Sequence, residues 1–183
     1  MAISFEIGPE SPKNLFCESK FWGSPDLPED MEYPMKGADP LMFLCQVATF
    51  DIKSLLPEGL FPEDGMLYFF ADGEMLFGPD GPAKGVWPKG SALVKCTKAV
   101  NIETFKSVVL LDEDDDPIVQ KALPLSFSSC PASFPGMRLL GDAPEGFVNL
   151  LQLPLDPAHT LRFLIKETDL GFGNWKKAFA EVI

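Results

Sequence analysis

Histidine is nearly missing from this chain. His159 stands alone, so any serine or cysteine nucleophile would have to use it as base. No G-x-S-x-G elbow occurs. No C-x-x-C pair exists among Cys17, Cys45, Cys96 and Cys130, which read as free thiols, with Cys45 inside an apolar run as a small hydrophobe. Basic residues are also scarce: 15 Lys and Arg face 27 Asp and Glu, for a net charge of −12. That balance excludes nucleic-acid binding, which needs clustered cations for phosphates, and disfavours anionic membranes. It leaves room for a basic protein partner.

Long apolar runs are missing as well. The longest uncharged stretch, Ala122 to Met137, holds Pro124, Pro131 and Pro135 and cannot cross a bilayer as a helix. The start, Met1 to Ile7, has neither a basic nor a long apolar segment of a signal peptide. The expectation is a cytoplasmic protein.

What is present is a core-forming composition. Hydrophobic residues make up 46% of the 183, sixteen of them phenylalanine, which suffices for one domain without disulfide staples. Eighteen prolines exclude a bundle of long helices, because proline cannot donate to a helix or a sheet ladder.

Alternation at Ile3, Phe5 and Ile7 predicts a half-buried strand ended by Gly8-Pro9. Leu41 to Ala48 and Met66 to Ala71 read as buried strands, separated by a short helix from Ile52 to Leu56 capped by Asp51. Residues 72 to 91 read as loop, followed by strands at Ala92 to Thr97 and Ser107 to Leu111. A helical turn is expected at Ile118 to Ala122, and a proline-punctuated loop from Leu123 to Gly136. Strands follow at Phe147 to Leu153 and Leu161 to Lys166, then a turn at Glu167 to Leu170 and an edge strand or docked tail from Ala178 to Ile183.

Known site signatures fail one by one. Asp156 and His159 have an i, i+3 spacing, but Pro157 lies between them in a turn and no third ligand is near. Asp112, Asp114 and Asp116 match the opening of a calcium loop, yet Pro117 replaces its glycine and Leu123 its bidentate glutamate. Gly85 to Ser91 has the glycine spacing of a phosphate loop, but Ser91 stands where the lysine belongs. Gly171-Phe172-Gly173 is too short for a dinucleotide fingerprint. No cofactor or metal is implied.

One echo remains. Pro40-Leu41-Met42-Phe43-Leu44-Cys45-Gln46-Val47 and Phe147-Val148-Asn149-Leu150-Leu151-Gln152-Leu153 each run apolar into one glutamine, and each is followed by a second apolar run. A buried amide must find partners. Gln46 and Gln152 therefore either bond crossing loops or face a polar ligand. Trp22 and Trp87, in glycine- and proline-rich loops, either pin those loops to the core or offer a recognition surface.

Ser19-Lys20-Phe21-Trp22-Gly23-Ser24-Pro25-Asp26-Leu27-Pro28, then Tyr33-Pro34 and the Pro40 to Val47 run, resemble the YwqG-like family of unknown function. Arg138-Leu139-Leu140-Gly141, Leu150-Leu151-Gln152-Leu153 and Leu161-Arg162-Phe163-Leu164-Ile165 extend the likeness, whereas residues 72 to 135 have no match. Met137 stands where family members usually carry histidine. The resemblance implies a mixed α/β domain with internal duplication and no established activity, with members found beside bacterial toxin systems.

The expectation is thus an α+β fold: one domain over 1–183, in two related halves of about 1–100 and 101–183. Mostly antiparallel bent sheets, a few short helices and long proline-rich loops build it. The leading function is a non-enzymatic protein-binding or immunity-like module with a basic partner. The alternative is a small-molecule-binding domain or enzyme with a cleft between the halves, near Gln46 and Gln152 and bordered by Trp22 and Trp87.

Overall fold

A strand with one apolar face must bury it, and here nearly every strand turns that face toward one shared core. The computed structural model describes residues 1–118 and 120–183. The first nine strands are β1 (Ala2–Ile7), β2 (Lys20–Phe21), β3 (Asp26–Pro28), β4 (Met35–Lys36), β5 (Asp39–Pro40), β6 (Met42–Ala48), β7 (Met66–Ala71), β8 (Gly85–Val86) and β9 (Ala92–Cys96). The others are β10 (Phe105–Ser107), β11 (Leu123–Cys130), β12 (Arg138–Leu140), β13 (Phe147–Asp156), β14 (His159–Lys166) and β15 (Phe179–Val182).

Eleven of them join one sheet in the order β8-β15-β14-β13-β12-β1-β11-β2-β6-β7-β9, and every pairing is antiparallel. The sheet curls into a half-barrel, bringing β9 against β15 and the turn Trp175–Lys177. Strand accounts for 41% of the chain and helix for 11%, so the architecture is mostly β and the expected α+β class is corrected. The reason is length. The helices α1 (Thr49–Ile52), α2 (Gly73–Phe77) and α3 (Glu167–Gly171) have four or five residues, about one turn each, and cannot form a layer against the sheet.

The inner face carries Ile3, Phe5, Cys45, Val47, Leu67, Phe69, Leu139, Phe163 and Ile165, all buried in one cluster. Such side chains each contribute roughly 1.5–3 kcal/mol on burial. On the outer face of β6 and β7, Phe43, Tyr68 and Phe70 form a second cluster with Leu27, from the proline-rich stretch 8 to 40, and Leu41. That segment is therefore packed down, as its aromatic content implies.

Several elements depart from expectation. The Leu123 to Gly136 loop contains β11, which pairs with both β1 and β2 in the middle of the sheet. Pro124 is tolerated at its second residue, and Leu125 and Phe127 alternate inward between Ser126 and Ser128. Residues 72 to 91 hold α2, whose N-cap Asp72 accepts from the Glu74 N–H at 3.0 Å. Asp51 lies inside α1 rather than capping a helix at Ile52, and accepts from the Ser19 hydroxyl at 2.6 Å. β15 is not an edge, since β14 and β8 flank it. The helical turn expected at Ile118 to Ala122 falls partly on Val119, outside the described residues; Ile118 and residues 120–122 are not helical.

Two stretches follow the same local course. Lys20-Phe21 in β2 leads to Trp22 and Gly23 at φ 57° and 80°; Arg138-Leu139 in β12 leads to Leu140 and Gly141 at φ 62° and 97°. The left-handed region favours glycine, and a bulky residue there carries strain. Each stretch pairs with a strand whose register shifts at Leu44 or Leu150, two residues before Gln46 or Gln152. Lys20 then lies opposite Gln46, and Arg138 opposite Gln152. Strand β8, from the first hundred residues, completes the edge beside β15, from the last ten.

Candidate functional site

Gln46 and Gln152 each sit in a polar row across the sheet. The first row reads Lys20, Gln46, Tyr68, Lys95 and the second Arg138, Gln152, Arg162, Glu181, taken as directly opposed residues on successive strands. Four strands stand between β6 and β13, a separation of about 24 Å along the sheet at roughly 4.8 Å per step. The structure does not bring the two glutamines together.

The first row closes on itself. Asp26, the first residue of β3, is fully buried. Its carboxylate accepts from Lys20 Nζ at 2.7 Å, Gln46 Nε2 at 2.8 Å, the Cys17 N–H at 2.8 Å and the Ser107 hydroxyl. The Asp26 N–H donates to Gln46 Oε1 at 2.9 Å, and Tyr68 donates to the Asp26 carbonyl at 2.6 Å. Gln46 Nε2 also reaches the Glu18 carbonyl at 2.9 Å. The buried ammonium has a carboxylate, and the amide has all its bonds, which is the condition for burying such groups.

The second row has no such carboxylate. Arg138 is buried and donates through Nη1 to the Phe134 carbonyl. Among the described residues no carboxylate lies within salt-bridge reach of it. Arg162 pairs with Glu181. Gln152 Nε2 donates to the Pro135 and Gly136 carbonyls at 3.2 Å each, and Asn149 Nδ2 stands 3.5 Å from Gln152 Oε1. Four buried side-chain polar atoms lack a partner among the described residues. Three of them are Arg138 Nε, Arg162 Nε and Asn149 Oδ1. Burial pushes the Arg138 guanidinium below its ordinary pKa; Asp142 opposes that shift and Arg162 adds to it.

The tryptophans lie apart. Trp22 is partly exposed beside Phe21, with ring centroids 5.2 Å apart. Trp87 is buried at the seam between the sheet's ends, its indole N–H donating to the Ala83 carbonyl at 2.7 Å. It lines a groove of about 480 Å³ with Lys89, Lys176 and Lys177.

A groove of about 610 Å³ is bordered by Cys17, Ser19, Asp51 and Asp64. Burial, then the nearby Asp26 charge, raises the Cys17 thiol to about 11, so it stays protonated at neutral pH and is a poor nucleophile. Asp156 meets His159 Nδ1 at 2.7 Å in the turn joining β13 and β14. No group of three metal-ligating side chains gathers among the described residues, and no helix there is long and apolar enough to cross a membrane.

Sequence reasoning found both glutamines but missed Asp26, Lys20, Arg138, Arg162 and Asn149. One signal was available: Arg138 and Arg162 are the chain's only arginines, each in a short strand motif beside a glutamine strand.

These features define a curled, all-antiparallel sheet protein with two cation–glutamine rows on its outer face. The chain belongs to the family described as Domain of unknown function (DUF1963), whose model matches residues 19–133. That match runs through the 72 to 133 stretch, where the resemblance noted above found nothing, and ends before Arg138. No curated protein matches the chain.

Proposed function

We propose that this protein is a non-enzymatic interaction module that docks a basic partner on the segment 108–118. The observation that carries this reading is the surface of that segment. Val109, Leu111 and Ile118 are exposed on its two legs, and Asp112, Glu113, Asp114, Asp115 and Asp116 form its exposed tip. The tip is ordered from within: Asp112 Oδ1 accepts from the N–H groups of Asp114 and Asp116 at 2.9 and 3.0 Å. The Ile118 N–H closes the legs on the Leu110 carbonyl at 2.8 Å. A groove of about 210 Å³, lined by Tyr33, Phe43, Val108, Leu110 and Ile118 among others, runs alongside.

Five adjacent carboxylates repel one another, and a cationic partner relieves that repulsion while steering its own approach. Exposed branched side chains beside the charge fit the apolar stripe of an amphipathic segment. An immunity-like role, covering a basic protein, is one form of this reading. We further propose YwqG-like membership and descent of the two halves from one duplicated unit. The paired features at Lys20 and Arg138, and at Gln46 and Gln152, support that descent.

The test is fluorescence anisotropy of a labelled lysine–leucine amphipathic peptide titrated with the full chain. Binding that weakens as salt rises, and weakens further in a variant carrying Glu113→Gln, Asp114→Asn, Asp115→Asn and Asp116→Asn, is expected. No complex at any salt concentration contradicts the reading.

A further inference from the structure

The two polar rows differ in one respect that bears on ligand binding. In the first, a carboxylate is built in: Asp26 sits on Lys20 and Gln46. In the second, Arg138 takes the place of Lys20 and Gln152 that of Gln46, and the carboxylate is missing. A guanidinium remains charged at any ordinary pH, and a buried charge without a counter-ion is costly. Arg162 has a direct partner carboxylate in Glu181, whereas Asp142 acts on Arg138 only from beyond ion-pair distance.

We propose that Arg138, Arg162, Gln152 and Asn149 form an anion site that takes a small organic monocarboxylate, seated as the Asp26 side chain is seated in the first row. The unpartnered Nε atoms of Arg138 and Arg162 are donors awaiting an acceptor, and a carboxylate offers two oxygens. A monoanion supplies Arg138 with the direct counter-ion that Asp142, beyond ion-pair distance, does not.

The segment 131–136 covers the site and controls entry. Gln152 Nε2 is held by its carbonyls at Pro135 and Gly136, both at 3.2 Å, the long end of the range for such bonds. Phe134 is half-exposed, folded over Gly136 so closely that a Cβ there would meet its ring at 2.5 Å. On the far side Gly141 makes room for the guanidinium: a Cβ at that position would stand 3.0 Å from Arg138 Nε. Lifting residues 134–136 withdraws the Pro135 and Gly136 carbonyls from Gln152 and the Phe134 carbonyl from Arg138. This site is independent of the 108–118 segment, and either proposal can fail alone.

Because the chain has only two arginines, selective ¹⁵N-arginine labelling of the full protein yields two Nε–H signals, assigned with Arg162→Lys. Sodium acetate is titrated against sodium chloride at matched ionic strength. A saturating shift of the Arg138 Nε–H signal with acetate and none with chloride is expected. In parallel, acetate should raise the thermal midpoint of the wild type and leave that of Arg138→Gln unmoved. Arg138→Lys, which keeps the charge, should weaken the acetate response at least tenfold, so a folding failure of Arg138→Gln leaves the test intact. Equal response to acetate and chloride overturns the proposal. So does an acetate response that spares Arg138 and appears instead at the Lys89, Lys176 and Lys177 groove.

Discussion

Phe69 and Phe163 meet edge to face at the centre of the inner core, with ring centroids 5.3 Å apart and planes at 74°. Each follows directly the residue opposite a row glutamine: Tyr68 faces Gln46 and Arg162 faces Gln152. The contact thus joins corresponding positions of the two hairpins across the mouth of the curled sheet. Phe69→Ala and Phe163→Ala should each cost about 3–5 kcal/mol, the range for deleting a buried phenylalanine. In a double-mutant cycle by urea unfolding, the pair should show a coupling of about 0.5–1.5 kcal/mol. Strict additivity would mean that the two halves of the core do not communicate through these rings.

Asp26 is the polar counterpart of that contact on the outer face. Asp26→Asn removes the one carboxylate that neutralises buried Lys20 and replaces one acceptor oxygen with a donor, set either against Ser107, which bonds Oδ1, or against Lys20, Gln46 and Cys17, which bond Oδ2. A loss of about 3–5 kcal/mol is expected, as for any buried pair stripped of one partner. Ser107→Ala, which deletes a single hydroxyl from the same cluster, should cost only about 0.5–1.5 kcal/mol. Chemical denaturation of the two variants side by side checks the ratio.

The strands that the sequence made legible are those whose pattern is local. Ile3 and Phe5 alternate, Met66 to Ala71 is buried throughout, and both assignments match the observed bounds to within a residue. β11 was hidden because Pro124 lies within it, Pro131 follows it directly, and outward positions such as Ser126 and Ser128 are serines, which read as loop. Its place between β1 and β2 depends on pairing with residues more than a hundred positions away. The one helix expected from a cap, at Asp51, was overestimated for the opposite reason: a cap residue says where a helix starts and nothing about how soon it stops. At the candidate sites the glutamines stood out against apolar neighbours. Asp26 and Arg138 did not, since a charged residue in a proline-rich stretch reads as surface until a strand is laid over it.

Stability should depend on pH through the ion pair of Asp72 and Lys36. Burial works to raise the Asp72 pKa, but the Lys36 ammonium and the Glu74 N–H outweigh it, and the carboxyl is held below its ordinary value. A carboxylate lowered on folding contributes stability that is complete above its unfolded pKa, about 3.9. That contribution is lost as pH falls through the folded value. Lys36 is raised by its bond to Asp72, so its share is present below about 10.4 and lost as pH rises through its higher folded value. Asp72→Asn keeps the helix cap and removes the charge. The gap in urea midpoint between wild type and this variant should be widest between pH 5 and 9 and close on acidification below about pH 4; a gap unchanged at pH 2.5 would contradict the pairing.

The docking surface is tested most directly by where the chain changes when a basic partner arrives. Backbone amide ¹H–¹⁵N spectra of the full chain, titrated with the lysine–leucine peptide, report this residue by residue. The account predicts saturating shifts concentrated in residues 108–118, with the β2–β6 and β12–β13 rows unmoved. Shifts centred elsewhere, or a spectrum indifferent to the peptide, would contradict it.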